Sequence, residues 1–146
     1  MLFVGEYIAK LDDKGRMVFP AELRAQSGAS NTQYMVHKSI YDNSLEIYTL
    51  EAWAKYSEEI RVKINPSTRE GSKLWEEFNR HRDTVTPDEK TGRILILKHL
   101  LDMIGVQKEV VFTGLDFKIK LRAKENVGSV MSGEEFADLF DKMMRQ

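Results

Sequence analysis

Residues 3–10 alternate, with Phe3, Gly5, Tyr7 and Ala9 set against Val4, Glu6, Ile8 and Lys10, and a period of two predicts a strand. Asp12-Asp13-Lys14-Gly15 reads as a turn, and Arg16-Met17-Val18-Phe19 as a second strand. Pro20 fits the first position of a short helix, where its missing N–H costs nothing, and Gly28 fits the left-handed residue that ends it. Strands at Gln33–His37 and Leu45–Tyr48 follow, joined by Ile40-Tyr41-Asp42-Asn43-Ser44.

The period then changes to that of a helix. Leu50, Trp53, Ser57, Ile60 and Ile64 fall on one stripe, Asn65-Pro66 interrupts it, and Ser67 with Glu70 predicts a capping box for a helix whose apolar side is Leu74, Trp75 and Phe78. Near the end, Ser132 and Glu135 predict the cap of a helix with Phe136, Leu139, Phe140 and Met143 on one face. These stripes fit core faces, and the last one also fits a docking helix.

The pattern recurs. At a constant offset of 77, residues 11–24 match residues 88–101 in an acidic residue, Gly-Arg, three apolar residues and a Leu, and Gly28 falls on Gly105. So many matches in one ungapped register predict two copies of one module. The second copy reads as a strand at Arg93–Ile96, a helix to Ile104, and strands at Glu109–Phe112 and Phe117–Leu121, with Gly114 between them. The expected organisation is a first module at 1–50, linker helices at 51–82, a second module at 83–125 and a C-terminal helix at 126–146. Modules this small hide too little surface to be secure alone, so the copies are expected to pack on a shared barrel-like sheet. Unpaired edges at its sides invite further copies into a ring.

Composition narrows the function. The 146 residues carry 22 Lys and Arg against 23 Asp and Glu, a formal charge of -1, and 42% of them are hydrophobic. That fits a globular chain and not a general polyanion binder, which carries a basic excess. Without Cys there is no disulfide, no Cys-ligated metal and no thiol nucleophile. No run of about 18 apolar residues predicts a membrane span, and Met1-Leu2-Phe3-Val4-Gly5-Glu6 lacks the basic end of a signal peptide, so the expected address is the cytoplasm. Charge is nonetheless segregated: residues 41–60 hold one basic and five acidic side chains, 61–82 hold six and three, and 115–124 hold four and one. Lys118 and Lys120 fit charges that keep an edge strand from aggregating.

Catalytic constellations are not apparent, and no metal or cofactor is expected. His37, His81 and His99 lie in separate segments without ligand spacing, no Gly-x-Ser-x-Gly elbow occurs, and Gly15 and Gly92 belong to no phosphate loop.

Leu11-Asp12-x-Lys14-Gly15-Arg16-x-x-x-Pro20-x-x-x-Arg24, with Phe3 and Gly5 before it and a second Gly-Arg copy 77 residues on, resembles the MraZ family over nearly the whole chain. Asn65-Pro66-x-x-Arg69 and Gly105-Val106-x-Lys108-Glu109-Val110-Val111-x-x-Gly114 extend the likeness. The resemblance implies an α+β, mainly β fold of tandem AbrB-like swapped-hairpin modules, a pseudo-two-fold barrel with linker helices and a C-terminal helix, assembling into a ring homo-oligomer. It also implies a nucleoid-associated transcriptional regulator that binds short G-containing direct repeats in double-stranded DNA upstream of the division and cell-wall gene cluster and usually represses it. The family's Asp-x-x-x-Arg motif is carried as Asp12 with Arg16 and as Glu89 with Arg93, the acids orienting the arginines. Val4, Leu97-Lys98, Leu101 and Lys120-Leu121-Arg122 depart from the family pattern.

An Arg at the base of a turn, with an acid four residues before it, suits two roles. Its planar fork can read guanine O6 and N7 together, or the pair can clamp the hairpin. Lys10, Lys14 and Arg24 are placed to touch flanking phosphates, with an ordinary solvated face as the other reading. The alternatives to a DNA-binding regulator are a ring-forming assembly or partner-binding protein that lost the reading head, an AbrB-like antitoxin holding its toxin through the C-terminal helix, and last a hydrolase.

Overall fold

The alternation at the chain's start yields a shorter strand than the sequence predicts. In a computed structural model, which describes residues 2–28, 33–128 and 131–146, β1 runs Glu6–Lys10. Phe3 makes only a single bridge to Asp116, because Gly5 turns the backbone at φ 107° and detaches it from the strand. Then come β2 (Arg16–Val18), α1 (Ala21–Gln26), β3 (Tyr34–Lys38) and β4 (Leu45–Thr49). Pro20 stands one place before its expected position, as the cap of α1. Leu97 holds the equivalent place in the second half with nearly the same backbone, φ -51° and ψ 132° against -55° and 129°.

Two helices follow, α2 (Leu50–Ile64) and α3 (Arg69–Phe78). Asn65 ends α2 in the left-handed conformation. Thr68, not the expected Ser67, caps α3, its hydroxyl accepting from the Gly71 amide at 3.0 Å. The second half then runs β5 (Arg82–Val85), β6 (Arg93–Leu95), α4 (Lys98–Met103), β7 (Glu109–Gly114) and β8 (Ile119–Ala123), and a 3₁₀ turn leads to α5 (Gly133–Met144).

Six strands form an antiparallel sheet in the order β1-β7-β8-β4-β3-β5, and β2 pairs with β6 in a separate ribbon. Exchanging β1–β4 for β5–β8 turns that order into itself read backward. A pseudo-two-fold axis therefore passes between β8 and β4, and between β2 and β6. On the axis Met17 faces its own repeat partner Ile94. The halves are interleaved, since every pair except β3–β4 and β7–β8 joins one to the other. The edge strands β1 and β5 each lead into the ribbon, which so spans the open side of the sheet. One core fills the barrel-like space: Met17, Phe19 and Ile94 from the ribbon side meet Tyr34, Ile47, Phe112, Ile119 and Leu121 from the sheet. The fold is α+β and mainly β.

The far face of β3 and β4 carries a smaller cluster in which Met35 and Tyr48 pack on Trp53 and Phe78 of α2 and α3. Covered on both sides, β4 is buried throughout. Glu46 is buried with it, and is held by Lys118 Nζ at 3.0 Å and by the Tyr48 hydroxyl at 3.1 Å. This corrects the reading of Lys118 and Lys120 as edge protection. β8 lies inside the sheet, and Lys120 reaches Asp42 at 2.8 Å with Arg122 at 3.7 Å behind it.

These contacts predict an acid response. Burial alone pushes the Asp42 pKa up, but hydrogen bonds from Lys120 and Ser44 and the Lys120 charge together pull it from 3.8 down to about 2. A depressed folded-state pKa stabilises the fold above the unfolded value, and that stability is lost as pH falls toward the folded one. Thermal unfolding scans therefore show the melting temperature declining between pH 4 and pH 2, with a shallower decline in Asp42→Asn. A parallel decline in the variant overturns the assignment to Asp42.

Candidate nucleic-acid interface on the β2–β6 ribbon

The ribbon's two faces differ in chemistry. Met17 and Ile94 point inward at 1% exposure, while Val18 and Leu95 point outward at 45% and 62%. Alternation puts Arg16 and Arg93 on the outer face as well, Arg16 opposite Leu95 and Val18 opposite Arg93. The outer face thus holds two arginines and two aliphatic side chains around the pseudo-two-fold axis.

Each arginine follows a turn built on an aspartate. Asp12 Oδ1 accepts the Lys14 and Arg16 amides at 2.9 Å, and Asp88 Oδ2 accepts the Lys90 amide at 3.0 Å and the Thr91 amide at 2.8 Å. The turns close alike, with the Asp12 amide on the Arg16 carbonyl and the Asp88 amide on the Arg93 carbonyl. Gly15 and Gly92 take positive φ, 81° and 72°. The Arg16 amide donating to its carboxylate, more than any other contact, holds Asp12 below its ordinary pKa against the opposing effect of desolvation, and the Thr91 amide does most to lower Asp88.

The structural partner of Asp12 is therefore Asp88, and the expectation for Glu89 is corrected. The second turn has one residue more, so the offset is 76 from Asp12 to Asp88 and from Lys14 to Lys90, and becomes 77 only at Gly15 and Gly92. The recurrent Asp-x-Lys was the available signal, and an ungapped register hides it. Glu89 is exposed, and among the described residues it forms no ion pair. Arg93 instead turns to the other half's acid: its Nε lies 3.7 Å from Asp12 Oδ2, the same oxygen that Arg16 Nε meets at 2.9 Å.

One carboxylate thus orients both forks by their Nε edges, leaving the Nη groups of Arg16 without a hydrogen-bond partner among the described residues. Both side chains stay about two-fifths exposed.

The other predicted residues divide. Lys14 is exposed in the first turn, matched by Lys90 in the second, a residue the sequence reading missed. Arg24 reaches across the axis to the Asp88 carbonyl, Nη1 at 3.4 Å, and so braces the second turn; its repeat partner Leu101 is buried. Lys10 lies apart at the end of β1, opposite Glu109 on the large sheet. Elsewhere, folding brings His81 Nδ1 and His99 Nε2 to 3.5 Å, which their spacing did not foretell. No cluster of three metal-ligating side chains occurs among the described residues.

A family sequence model described as "MraZ protein, putative antitoxin-like" matches residues 2–72. A protein of Bacteroides fragilis named transcriptional regulator MraZ is 31% identical over 146 residues, which cover 99% of this chain and 92% of that one. The chain belongs to the MraZ family. Namesakes of that regulator in Bacteroides thetaiotaomicron and Caldanaerobacter subterraneus are similar at 31% and 28% identity, covering 97% and 96% of this chain and 92% and 97% of theirs. The MraZ likeness reaches past the family model into the second half, where Asp88, Lys90 and Arg93 lie. No helix among the described residues is long and apolar enough to cross a membrane.

Proposed function

We propose that the chain is a DNA-binding transcriptional regulator, not an enzyme, whose β2–β6 ribbon enters the major groove and reads base edges. The observation that carries this is the pair Arg16 and Arg93, brought together on an exposed ribbon face and oriented by Asp12. The major groove admits a two-stranded ribbon, and a free guanidinium edge matches guanine O6 and N7. Val18 and Leu95 beside the arginines supply apolar contact of the kind thymine methyls accept. Lys14 and Lys90 touch flanking phosphates, and Arg24 supports the second turn, which carries Lys90. Asp88, in place of Glu89, is the second organising acid.

The modules at 1–50 and 83–125 supply one head between them. Four acids (Asp12, Asp13, Asp88, Glu89) and four bases (Lys14, Arg16, Lys90, Arg93) leave the head near neutrality, so one chain binds faintly. Several chains of a ring on successive short repeats bind together, in the cytoplasm at the nucleoid, and the regulator represses the division and cell-wall operon to which its gene belongs. Tethering of this kind multiplies apparent affinity by about 10² to 10⁴ without a new contact.

Salt dependence tests the reading. With about two phosphate contacts per chain, anisotropy titrations of DNA from upstream of its own gene give a log–log salt slope near -2 for one chain and near -5 for three. A chain that binds no DNA at low salt refutes the proposal. A partner-binding protein using the exposed α5 predicts that refuting result.

A further inference from the structure

The helix α5 buries none of its residues on the rest of the chain. Phe136, Leu139, Phe140 and Met143 recur at helical spacing and remain 60%, 42%, 53% and 52% exposed. The Phe136 and Phe140 rings sit edge to face at 6.2 Å, so the stripe is continuous. Glu134, Glu135, Asp138 and Asp141 surround it, against Lys142 and Arg145. An apolar stripe of this length left in water marks an interaction surface.

The body of the same chain has a groove that suits it. Between α2, α3, β3 and α4 lies an open cleft of about 540 Å³ whose walls include Ile60, Ile64, Leu74 and Met103. Leu74 is 56% exposed at its mouth, although the sequence reading assigned it to the core. Lys38 and Lys63 stand in the lining against a single acid, Glu77. The groove is apolar with a basic margin, and the helix is apolar with an acidic margin. That is the complementarity a helix-in-groove contact needs.

We infer that α5 of one copy docks in the α2–α3 groove of a second copy. The helix is rooted where Asn126 donates to the Ile104 carbonyl at 3.4 Å, beside the groove's Met103. The stripe of α5 stays uncovered by its own chain. Each copy therefore offers one helix and one groove, and a head-to-tail contact between them repeats from copy to copy until a ring closes. The inference names the contact behind the multimer proposed above and rests on that reading.

The absence of Cys makes the test clean. Phe140→Cys is placed in an untagged chain and Leu74→Cys in a chain lengthened by a tag, and the two preparations are mixed, oxidised with copper phenanthroline and separated without reductant. The expected product is a mixed disulfide between the long and the short chain. In parallel, Phe140→Glu and Leu74→Glu each raise the concentration for half-assembly by about tenfold or more in light scattering, with the circular dichroism unchanged. Both sites are solvent-facing, so neither variant disturbs the core. A disulfide forming only within a doubly substituted chain overturns the inference in favour of an own-chain clamp. A wild type that assembles normally, with no mixed disulfide and no effect of either glutamate, overturns this contact and leaves the multimer standing. A wild type that stays monomeric overturns both.

Discussion

Arg16→Ala lowers the affinity for operator DNA more than about a hundredfold while the chain stays folded. The arginine lies on the outer face of the ribbon, and none of the core cluster depends on it. Its removal leaves Asp12 with the Lys14 and Arg16 amides and with Arg93, so the turn keeps its organising bonds. What goes is one guanidinium fork per chain. A bidentate contact to guanine is worth about 1–3 kcal/mol, and three chains engaged together lose about 3 kcal/mol even at the low end. Arg16→Lys separates the two ways in which the residue acts. A lysine keeps the charge but not the planar fork, so the salt slope set by Lys14 and Lys90 stays as in wild type while discrimination between guanine and other bases is lost. Anisotropy titrations on the upstream region and on a scrambled duplex measure both quantities. Unchanged affinity in Arg16→Ala, or full discrimination in Arg16→Lys, removes Arg16 from the reading head.

The near-neutral total charge acquires its meaning from this geometry. A net charge of -1 spread over 146 residues excludes indiscriminate attraction to phosphates. It does not exclude two arginines fixed on an exposed rim, because base reading depends on where donors point.

Much of this arrangement could be read from the residues, and the exceptions have physical causes. The apolar run after the first turn identified β2, and the repeat located β6 and both arginines. The repeat also concealed the second acid: turns tolerate an extra residue where paired strands do not, so the register slips between Asp88 and Gly92. β5 went unseen because Arg82-Asp83-Thr84-Val85 has too little apolar content to signal a strand. It is an edge strand, ordered by pairing with β3 rather than by its own pattern. That Arg93 turns to Asp12 instead of a neighbour in sequence follows from the pairing of β2 with β6. Helical stripes, in turn, show that a face is apolar without showing what covers it. Trp53 and Phe78 found the sheet, whereas Leu74 and the whole stripe of α5 did not.

Phe19→Ala costs the fold about 3–5 kcal/mol. The ring is 1% exposed at the point where the ribbon passes into α1. It stacks on Tyr34 at 4.7 Å and meets Phe112 edge-on at 5.7 Å, so it joins the ribbon to strands of both halves of the sheet. Truncation leaves a cavity whose lining cannot collapse freely, because Tyr34 is tied by its hydroxyl to Ser27 and Phe112 lies in the middle of a paired strand. Against a total stability of about 5–15 kcal/mol this is a large share, and it lowers the melting temperature by roughly 6–20 °C. DNA binding responds differently. The Phe19 amide still donates to the Gly92 carbonyl at 2.8 Å and continues to hold β2 beside the second turn. Folded Phe19→Ala therefore binds within a few-fold of wild type, and Arg16→Ala melts within a few degrees of it. The alternation along β2 is the reason: Arg16 and Val18 face outward and Met17 and Phe19 face the core, so one strand carries the proposed reading face and part of the core separately. Calorimetry and anisotropy on both variants test the separation, and a Phe19→Ala melt within 3 °C of wild type, or loss of stability in Arg16→Ala as large as in Phe19→Ala, contradicts it.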